Sequence, residues 1–466
     1  MKETWKGSRL PAKLLATSHP ARLWRPSDDG KGEVICELCP RQCHVRRGHL
    51  GYCKVRANQE GSLVTLNYGK SVQITQDAIE TEAIWHYCPG ERTLSVGNIG
   101  CNLRCDFCHN WHTSQAVLTE DVDILLYSAE DLVRRALEAG IRILCWTYDD
   151  PVVWHEFVLD AARLARQHGL RNVYKSAFYI SPRAVDELID VIDVFSISLK
   201  SMSREYYRKY TGGRLPPVLD AIRQVQRSGR HLEISNLVVT GRNDTLRETD
   251  KVARWVLEQL GPGVPLHYVR FHPDHRYTGV ERTSVELLHR ARRSALALGL
   301  RHVYTGNLLQ GEGNTTRCDC GEPLIERYGL TLTNHLRADH TCPACGGQPD
   351  IVFWDPTPAD NIVPPREVQD LQTWRQVDYT WSGDITCVHV ENTSSEPLCY
   401  VAIDAQGQPL GLTRRCGVPR FMVSRSRPDE RGLRLYHRAA SPRVLGLLDR
   451  AYYPVQGDAP GTGEAS

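Results

Sequence analysis

Apolar runs that alternate with amphipathic stretches dominate the middle of this 466-residue chain. The apolar runs predict seven strands, at 93–99, 141–148, 172–178, 194–200, 232–239, 266–272 and 302–307. The stretches between them carry apolar residues at helical spacing and predict helices near 129–139, 155–169, 182–192, 215–228, 245–259 and 283–299. This alternation is typical of a parallel sheet covered by helices. Six or seven repeats predict an α/β domain at 91–310 that is a partial (β/α) barrel.

The segments on either side of this region follow other patterns. Residues 1–33 are basic and unpatterned, which predicts an N-terminal arm. Residues 34–90 form a cysteine-rich module whose alternating run LVTLNYGKSVQIT predicts a pair of strands. Residues 311–360 hold another group of cysteines, and short alternating segments at 365–455 predict a small β domain of unknown role. The polar end, 456–466, predicts a disordered tail.

Charge and hydropathy exclude several classes of partner. The chain has 57 Lys and Arg against 55 Asp and Glu, a formal charge of +2, which provides no basic footprint for nucleic acid or an anionic membrane. No run is long and apolar enough to cross a membrane, and the first residues lack the apolar stretch of a secretion signal. We therefore expect a cytoplasmic protein without a membrane partner and do not expect a nucleic acid partner.

The chain contains 16 cysteines, which calls for a chemical reason. In a reducing compartment, spaced cysteines hold metal more often than they form disulfides. Cys387, Cys399 and Cys416 show no ligand spacing and are expected to be small buried residues. The remaining cysteines include three groups with ligand spacing.

The most informative group is in the run GCNLRCDFCHNW, which contains Cys101, Cys105 and Cys108. It follows the first predicted strand, at the carboxyl edge where parallel sheets collect their active sites. Thiolates are the usual ligands of iron–sulfur clusters, and three of them leave one iron of a cubane cluster open to a substrate. The alternative is a zinc knuckle completed by His109 or His112. Zinc ligands usually come in C-x-x-C or H-x-x-x-H pairs, which disfavours that alternative.

The C-x-x-x-C-x-x-C run, with Phe107 before its last cysteine, resembles the signature of the radical S-adenosylmethionine (radical SAM) superfamily. Residues 36 to about 346 resemble one subfamily more closely, the AmmeMemoRadiSam-system radical SAM enzymes, which are related to pyruvate formate-lyase activating enzymes. The segments that carry this likeness include CELCPRQC, HYCPGERTLSVGNIGCNLRC, LEISNLVVTGRND, PLHYVRFHPDH and CPACGG. The likeness does not extend to the C-terminal β region.

The resemblance implies an enzyme in which Cys101, Cys105 and Cys108 ligate a 4Fe–4S cluster. In this superfamily the open iron chelates the amino and carboxylate groups of SAM. One electron from the cluster then cleaves the sulfonium and gives a 5′-deoxyadenosyl radical that abstracts hydrogen. The resemblance also implies that Phe107 lies against the SAM adenine. The implied partners are an electron donor such as flavodoxin or ferredoxin and a small-molecule or protein substrate that the sequence does not identify.

The run TYDDP, residues 147–151, is similar to the TYNEP-type segment that holds the SAM amino group in the family. Asp149 and Asp150 are therefore candidate cofactor-binding residues. Asp-Asp-Pro is also favourable β-turn chemistry, so a purely structural role stays open.

Three departures from the relatives lie near the expected cofactor and substrate. His109 replaces a Gln, and KSAFY, residues 175–179, replaces an Asn-Gly pair. Ser198, Leu199 and Lys200 stand where the relatives carry Asp-x-Lys. Lys200 is carried over as a candidate cofactor-binding residue, while the substrate is expected to differ from theirs.

Two further cysteine groups have four members each. In the first, a structural zinc and an auxiliary iron–sulfur cluster both suit the four thiolates, and the short glycine-containing loop favours zinc. These residues are Cys36, Cys39, Cys43 and Cys53. The second group has two ligand pairs on tight turns, which predicts a zinc ribbon. These residues are Cys318, Cys320, Cys342 and Cys345. His272 and His275, after the sixth strand, are expected to line the substrate pocket.

Two other functions compete with a radical SAM enzyme of unidentified substrate. A glycyl-radical activase would act on a protein loop, and the missing aspartate before Lys200 counts against it. A zinc-binding scaffold without enzymatic activity would hold zinc as its only metal.

Overall fold

The computed structural model describes most of the chain up to Trp354 and separate stretches beyond it. The described residues are 17–28, 30–115, 124–329, 331–354, 374–380, 387–391, 398–409, 414–416, 420–424, 431–438, 443–448, 451–454 and 457–458. The first half of the predicted N-terminal arm and almost all of the predicted tail lie outside these residues. Within the described residues, no helix has the length and hydropathy that a membrane span requires.

An eight-stranded sheet forms the centre of the fold. Its strands are β1 (Gln73–Ala78), β2 (Arg92–Gly97), β3 (Ile143–Thr147), β4 (Arg171–Ser176), β5 (Val194–Ser198), β6 (His231–Val238), β7 (Leu266–Arg270) and β8 (Val303–Gly306). Strands β2 to β8 are parallel and lie side by side in chain order, and β1 pairs antiparallel with β2. In the described sheet β1 and β8 are the two edges and do not pair with each other. The predicted partial (β/α) barrel is confirmed.

One helix connects each consecutive pair of parallel strands. The helices are α1 (Ala129–Glu138), α2 (His155–Gln167), α3 (Pro182–Ile189), α4 (Leu215–Arg227), α5 (Leu246–Leu260) and α6 (Val285–Ala297). Their starts follow from local chemistry: the Ser128 side chain and Asp131 form a reciprocal capping box, and Pro182 occupies the first turn of α3. Shorter helical turns lie at Ile79–Glu82, Trp111–Ser114, Pro151–Trp154, Arg204–Tyr206, Tyr207–Thr211 and Glu312–Asn314.

The core lies between the sheet and these helices. Strand β3 is buried along its whole length, which explains why its sequence is apolar without alternation. Trp146 on β3 packs against Trp154 and Phe157, with ring centroids 6.0 and 6.2 Å away. Each such buried aromatic contributes about 1.5–3 kcal/mol to folding relative to exposure. This packing fixes the carboxyl end of β3, where TYDDP begins.

The N-terminal module differs from the predicted pair of strands. Ser62–Thr65 pairs with Arg56–Gln59, whereas the last three residues of LVTLNYGKSVQIT begin β1 of the barrel sheet. Alternation of apolar residues identifies a strand but not its partner. Part of the predicted arm also belongs to this module, because His19–Pro20 and Trp24–Pro26 form edge strands against Ser62–Thr65 and Val34–Cys36. The remaining strands here are His44–Val45, Lys70–Ser71 and Leu125–Leu126.

The regions after the barrel are antiparallel. Thr315–Arg317, Pro323–Tyr328 and Thr331–Asn334 form a three-stranded sheet next to the second four-cysteine group. The C-terminal region forms a five-stranded and a four-stranded sheet, as the alternating segments predicted. Their strands are Arg375–Thr380, Cys387–Glu391, Leu398–Ile403, Arg414–Cys416, Arg420–Ser424, Gly432–His437, Arg443–Leu448, Ala451–Pro454 and Gly457–Asp458. The boundaries of the individual domains stay a prediction.

Candidate active site

A cavity of about 240 Å³ opens at the carboxyl ends of the parallel strands. Its wall combines three cysteine sulfurs, two carboxylates and two lysines with small polar groups. The charged and sulfur-bearing lining residues are Cys101, Cys105, Cys108, Asp149, Asp150, Lys175 and Lys200. The seven residues that the sequence proposed for the cluster and SAM all line this cavity, and they are Cys101, Cys105, Cys108, Phe107, Asp149, Asp150 and Lys200.

The segment after β2, residues 98–110, is called the cluster loop here because it carries the three cysteines. Cys101 and Cys105 are buried and Cys108 is partly exposed. The amide of Leu103 donates to the Cys101 sulfur at 3.3 Å, and the sulfur of Cys108 lies 3.5 Å from the Ser114 hydroxyl. Hydrogen bonds of this kind stabilise sulfur that bears negative charge.

Burial makes these thiols weak acids in the absence of a metal. It raises the pKa of Cys105 to about 11, against the opposing charge of Lys200, and raises the pKa of Cys101 well above its ordinary value. A bound metal deprotonates coordinating thiols outright. In the described part of the cavity wall the only sulfurs are these three. The site therefore fits a 4Fe–4S cluster with one iron left without a thiolate.

An arginine in the turn after β6 holds the middle of the cluster loop. Arg242 forms a bidentate ion pair with Asp106, at 2.5 and 2.8 Å. Its guanidinium lies over the rings of Tyr277 and Tyr210, with its carbon 3.5 and 4.0 Å from the ring centroids. Such a planar, stacked ion pair fixes a loop more firmly than a lysine would. Sequence reasoning missed Arg242, although it lies in the quoted run LEISNLVVTGRND.

The two aspartates of TYDDP have different environments. Asp150 is buried and accepts hydrogen bonds from the Ser176 hydroxyl at 2.8 Å and from the amides of Val152 and Ala177 at 3.2 Å. Asp149 accepts one hydrogen bond, from the Thr113 hydroxyl at 2.8 Å, and its buried Oδ2 has no partner. The Asp150 carboxylate thus stabilises the turn. The Asp149 carboxylate has one oxygen, Oδ2, that can accept a hydrogen bond from a ligand.

The backbone at Asp149 is also unusual. Tyr148 and Asp149 have φ angles of +53° and +46°, in the left-handed region that side chains other than glycine rarely adopt. Non-glycine residues in this region concentrate at functional sites, where the surroundings hold them in place. Burial raises the pKa of Asp149 well above its ordinary value, while the Thr113 hydrogen bond opposes the rise. A positively charged ligand group beside Oδ2 would restore the charged carboxylate.

Phe107 and Lys200 lie together at the cavity wall. The Lys200 ammonium is 6.0 Å from the Phe107 ring centroid, and Phe107 packs edge-on against Phe271 at 6.5 Å. The Asn243 amide donates to the Lys200 carbonyl at 2.9 Å, and the Lys200 amide donates to the Tyr207 hydroxyl at 3.1 Å. Lys200 is therefore positioned through its backbone, which leaves its side chain to face the cavity.

Lys175 forms part of the cavity wall and was not proposed as a site residue. Its ammonium donates to the Glu82 carbonyl at 2.9 Å and to the hydroxyls of Ser196 and Ser235 at 3.0 and 3.3 Å. It opens KSAFY, one of the runs in which the sequence departs from its relatives. That departure was the feature of the sequence that could have identified Lys175 as a residue of the cavity wall.

The histidines of RFHPDH contact the cluster loop and the turn that follows it. His109 lines the cavity, and its Nε2 lies 2.8 Å from the His272 carbonyl oxygen. His275 stacks on Trp111 with ring centroids 4.9 Å apart. Neither His272 nor His275 belongs to the described lining, so the expectation that they line the pocket was wrong. Strand β7 ends at Arg270, before both histidines, and the His272 ring contacts the carbonyl oxygen of Pro273 at 2.8 Å.

Within each of the two four-cysteine groups, the four thiols lie near one another. The ribbon set, Cys318, Cys320, Cys342 and Cys345, has all its sulfurs within 4.8 Å of one another. Two of its sulfur pairs are 3.6 and 3.7 Å apart. The N-terminal set is mostly buried and consists of Cys36, Cys39, Cys43 and Cys53. Burial is the largest cause of the raised pKa of Cys39, and the charges of the other three thiols raise it further, which shows that the four thiols are close to one another.

Comparison with known proteins gives consistent relatives. The family model described as the radical SAM superfamily matches residues 97–256. An uncharacterized protein of Methanocaldococcus jannaschii is 34% identical over 336 residues, which cover 72% of this chain and 99% of that protein. The pyruvate formate-lyase-activating enzyme of Clostridium pasteurianum is 23% identical over 174 residues, 35% of this chain and 69% of the enzyme. A solved radical SAM methyltransferase from Sphaerobacter thermophilus is 17% identical, with a TM-score of 0.38, over 64% of this chain and 81% of that one.

The matched region begins at the last residue of β2 and contains strands β3 to β6 and most of α5, together with the cluster loop, both aspartates, Lys175 and Lys200. The family match and the cavity geometry thus concern the same residues. This chain belongs to the radical SAM superfamily.

Proposed function

We propose that the chain is an enzyme that binds a 4Fe–4S cluster and SAM in the cavity above the barrel and abstracts hydrogen from a substrate. The observation that carries this proposal is the arrangement of three thiols around one cavity wall with an unsatisfied carboxylate oxygen of Asp149. When bound, the cluster and SAM would supply a one-electron cleavage of the sulfonium and a hydrogen-abstracting radical. Every other task falls to the chain itself.

Cys101, Cys105 and Cys108 would hold the cluster. Asp149 Oδ2 would accept hydrogen bonds from the SAM ammonium, because an alkylammonium carries the donors and the positive charge that a buried carboxylate requires. Lys200 supplies the positive charge suited to the SAM carboxylate, and it already opposes the raised pKa of Cys105. Phe107 offers an apolar ring beside them.

The remaining cavity wall would receive the substrate. Ser198, Ser235 and Asn307 bring two hydroxyls and an amide to it, while the Lys175 ammonium is already held by three protein oxygens. Such a wall suits a substrate with carbonyl or hydroxyl groups better than an apolar one.

The ribbon set is the natural zinc site of the chain. Zinc–sulfur bonds of about 2.3 Å in a tetrahedron place ligand sulfurs about 3.8 Å apart. The observed separations of 3.6 and 3.7 Å match this spacing without rearrangement. A zinc ion here would stabilise the three-stranded sheet at Thr315–Asn334 and take no part in the reaction.

The proposal is tested by reconstituting the protein without oxygen, adding SAM and dithionite, and measuring 5′-deoxyadenosine. The wild-type protein should form it, and the Cys105→Ala variant should not. Cys399→Ala, which removes a buried thiol of the C-terminal sheets, is the matched control and should retain formation. A cluster-loaded wild-type protein that forms none, or a Cys105→Ala variant that matches it, would contradict the proposal.

A further inference from the structure

The N-terminal set of thiols lies directly behind the cluster loop. A Cβ atom placed on Gly100 would lie 2.9 Å from the carbonyl oxygen of Cys53. Standard backbone dimensions then place the Cα atoms of Cys53 and Cys101 no more than about 11 Å apart. Metal centres at the two sets would therefore be close neighbours.

A short chain of hydrogen bonds connects the two sets. The amide of Tyr52 donates to the Cys43 sulfur at 3.5 Å, and the Tyr52 carbonyl accepts from the Arg104 guanidinium at 2.7 Å. The same guanidinium donates to the Cys101 carbonyl at 2.8 Å. Arg41 adds a second link, because it donates to the Asn102 carbonyl at 2.6 Å and lies over the Tyr52 ring. The N-terminal module thus contacts the cluster loop at the residues next to the cysteines of both.

The N-terminal set differs from the ribbon set in spacing and in exposure. Across the described residues, the ribbon set alone has all its ligand atoms within 4.8 Å of one another, as a single tetrahedral ion requires. Thiolates that each bind a different iron of a cluster stand farther apart. Cys36, Cys39 and Cys53 are also buried, whereas Cys320 and Cys345 of the ribbon are exposed. Burial from solvent is one of the factors that set the potential of a redox centre.

We propose that Cys36, Cys39, Cys43 and Cys53 hold a second iron–sulfur cluster that passes electrons to the cluster at Cys101, Cys105 and Cys108. This assignment replaces zinc, which the sequence favoured for the N-terminal set. A low-potential one-electron donor protein reduces the second cluster by one electron. That electron then moves to the catalytic cluster, so the second cluster is oxidised, the catalytic cluster is reduced, and no bond or proton is exchanged. The transfer step rests on the proposed function, whereas the presence of the cluster does not.

The outer side of the N-terminal module is suited to such a donor. Cys43 is the one member of the set that is partly exposed. Arg46 and Arg47 follow it in the chain, and their side chains are 79% and 57% exposed. These arginines pair with Glu33 and Glu60 at 3.9 and 3.8 Å, so what this side offers a donor is access to Cys43 and not a net charge. The electron would then enter at Cys43 and leave toward Cys101.

The first test removes the catalytic thiols and asks what metal remains. The variant with Cys101→Ser, Cys105→Ser and Cys108→Ser, reconstituted without oxygen as the full chain, should retain roughly half the iron and sulfide of the wild type. Its reduced form should give an electron paramagnetic resonance signal that SAM does not change. Zinc without iron or sulfide in this variant would overturn the proposal.

The second test measures electron delivery. The Cys39→Ser variant should lose the SAM-insensitive signal and keep the SAM-sensitive one, and reduced flavodoxin should reduce its catalytic cluster at least an order of magnitude more slowly. Cys342→Ser is the matched control, because it should lose zinc from the ribbon and keep all the iron. An unchanged rate of reduction in a Cys39→Ser protein that has lost the second cluster would overturn the relay.

The outcomes separate this proposal from the proposed function. If the wild-type protein does not cleave SAM but the triple variant still holds iron and sulfide, the proposed function fails and the second cluster stands. If SAM is cleaved and the triple variant holds zinc alone, the second cluster fails and the proposed function stands. If Cys39→Ser does not fold, the triple variant still decides the question of the metal.

Discussion

Two buried carboxylates at opposite ends of the barrel strands show how this molecule separates stability from chemistry. Glu233 lies at the amino end of β6, and Asp149 lies just beyond the carboxyl end of β3. Both are shielded from water, yet the pKa of Glu233 is lowered and that of Asp149 is raised. The difference comes from the number of hydrogen-bond donors that each one meets.

Glu233 is completely satisfied by its surroundings. It accepts from the amides of Trp85 and His86 at 3.0 and 2.8 Å and from the rings of His231 and His267 at 3.0 and 2.7 Å. Burial alone would raise its pKa, but the hydrogen bonds and charges of the two histidines outweigh burial and bring the pKa well below its ordinary value. Through the amides of Trp85 and His86, Glu233 fixes the loop after β1 at the amino end of the barrel. Both of its oxygens already accept hydrogen bonds from the protein.

Asp149 meets one donor, and its second oxygen has none. An unpaired buried acceptor costs a protein about 1–3 kcal/mol. A ligand that brings a charged donor to Oδ2 would recover that cost. Burial alone therefore does not distinguish the two carboxylates; the donors that each one meets do, and only Asp149 of the two retains an oxygen that a ligand could use.

The largest expected effect is at the amino end. Glu233→Gln removes the negative charge that the two histidine rings contact, and since a hydrogen bond to a charged group is worth about 1.5–3 kcal/mol, the loss of two should destabilise the protein by about 3–5 kcal/mol. Denaturant unfolding should show this loss, while the affinity of the reconstituted folded protein for SAM should stay within a factor of two or so of the wild type. Unchanged stability would mean that Glu233 is not the structural carboxylate described here.

A third buried carboxylate extends the comparison to pH. Burial, then the charge of Glu82, raises the pKa of Asp77 to about 7. A raised pKa means that the folded protein binds the proton more tightly, so Asp77 supports stability below about pH 4 and loses that support as pH rises to about 7. The loss should be roughly 3–4 kcal/mol. Asp77→Asn should remove it, so that the variant gains stability relative to the wild type between pH 5 and pH 8, and parallel unfolding curves would argue against the raised pKa.

Asp149→Asn should have a smaller effect, confined to the ligand. Loss of a charge-assisted hydrogen bond is worth about 1.5–3 kcal/mol, which corresponds to SAM binding roughly 10- to 100-fold more weakly. The free energy of unfolding of the metal-free protein should not fall, because no protein donor loses its partner at Oδ2. Equilibrium binding of SAM to the reconstituted protein measures the first quantity. Loss of stability without loss of affinity would assign Asp149 to the fold, like Glu233.

The smallest effect is expected for the ion pair that holds the cluster loop. Arg242→Lys replaces a bidentate contact with Asp106 by a single one and should cost about 1 kcal/mol. The visible consequence should be faster loss of iron to a chelator under anaerobic conditions. Asp106→Asn is the matched partner, and the double variant should be no worse than either single variant. Additive effects in the double variant would show that the two residues do not act together.

The positions of the main elements could be predicted from the sequence. The seven parallel strands and six helices fall close to where apolar periodicity predicted them, because burial on both faces of the sheet leaves a local signature in the chain. The antiparallel strand β1 was assigned to another module, because a strand pattern carries no information about its partner.

Some residues of the site could also be predicted from the sequence, and others could not. The three cysteines of the cluster loop were visible because ligand spacing is a local property of the chain. The roles of Asp149 and Asp150 were not separable, since both belong to one turn and differ only in the donors that β4 and residue 113 bring to them. Lys175 reaches the site from β4 and Arg242 from the turn after β6, both distant in sequence from the cluster loop, and their contacts exist only after the barrel forms.

The sequence by itself thus determined the superfamily, the order of strands and helices, and the identity of the thiols, all of which depend on short-range spacing. Only the tertiary structure decided which buried acid is satisfied and which is open, and which four-thiol set is compact enough for a single ion. Those properties depend on distances between residues far apart in the chain, because the hydrogen-bond donors and sulfurs concerned come from separate elements that packing brings together.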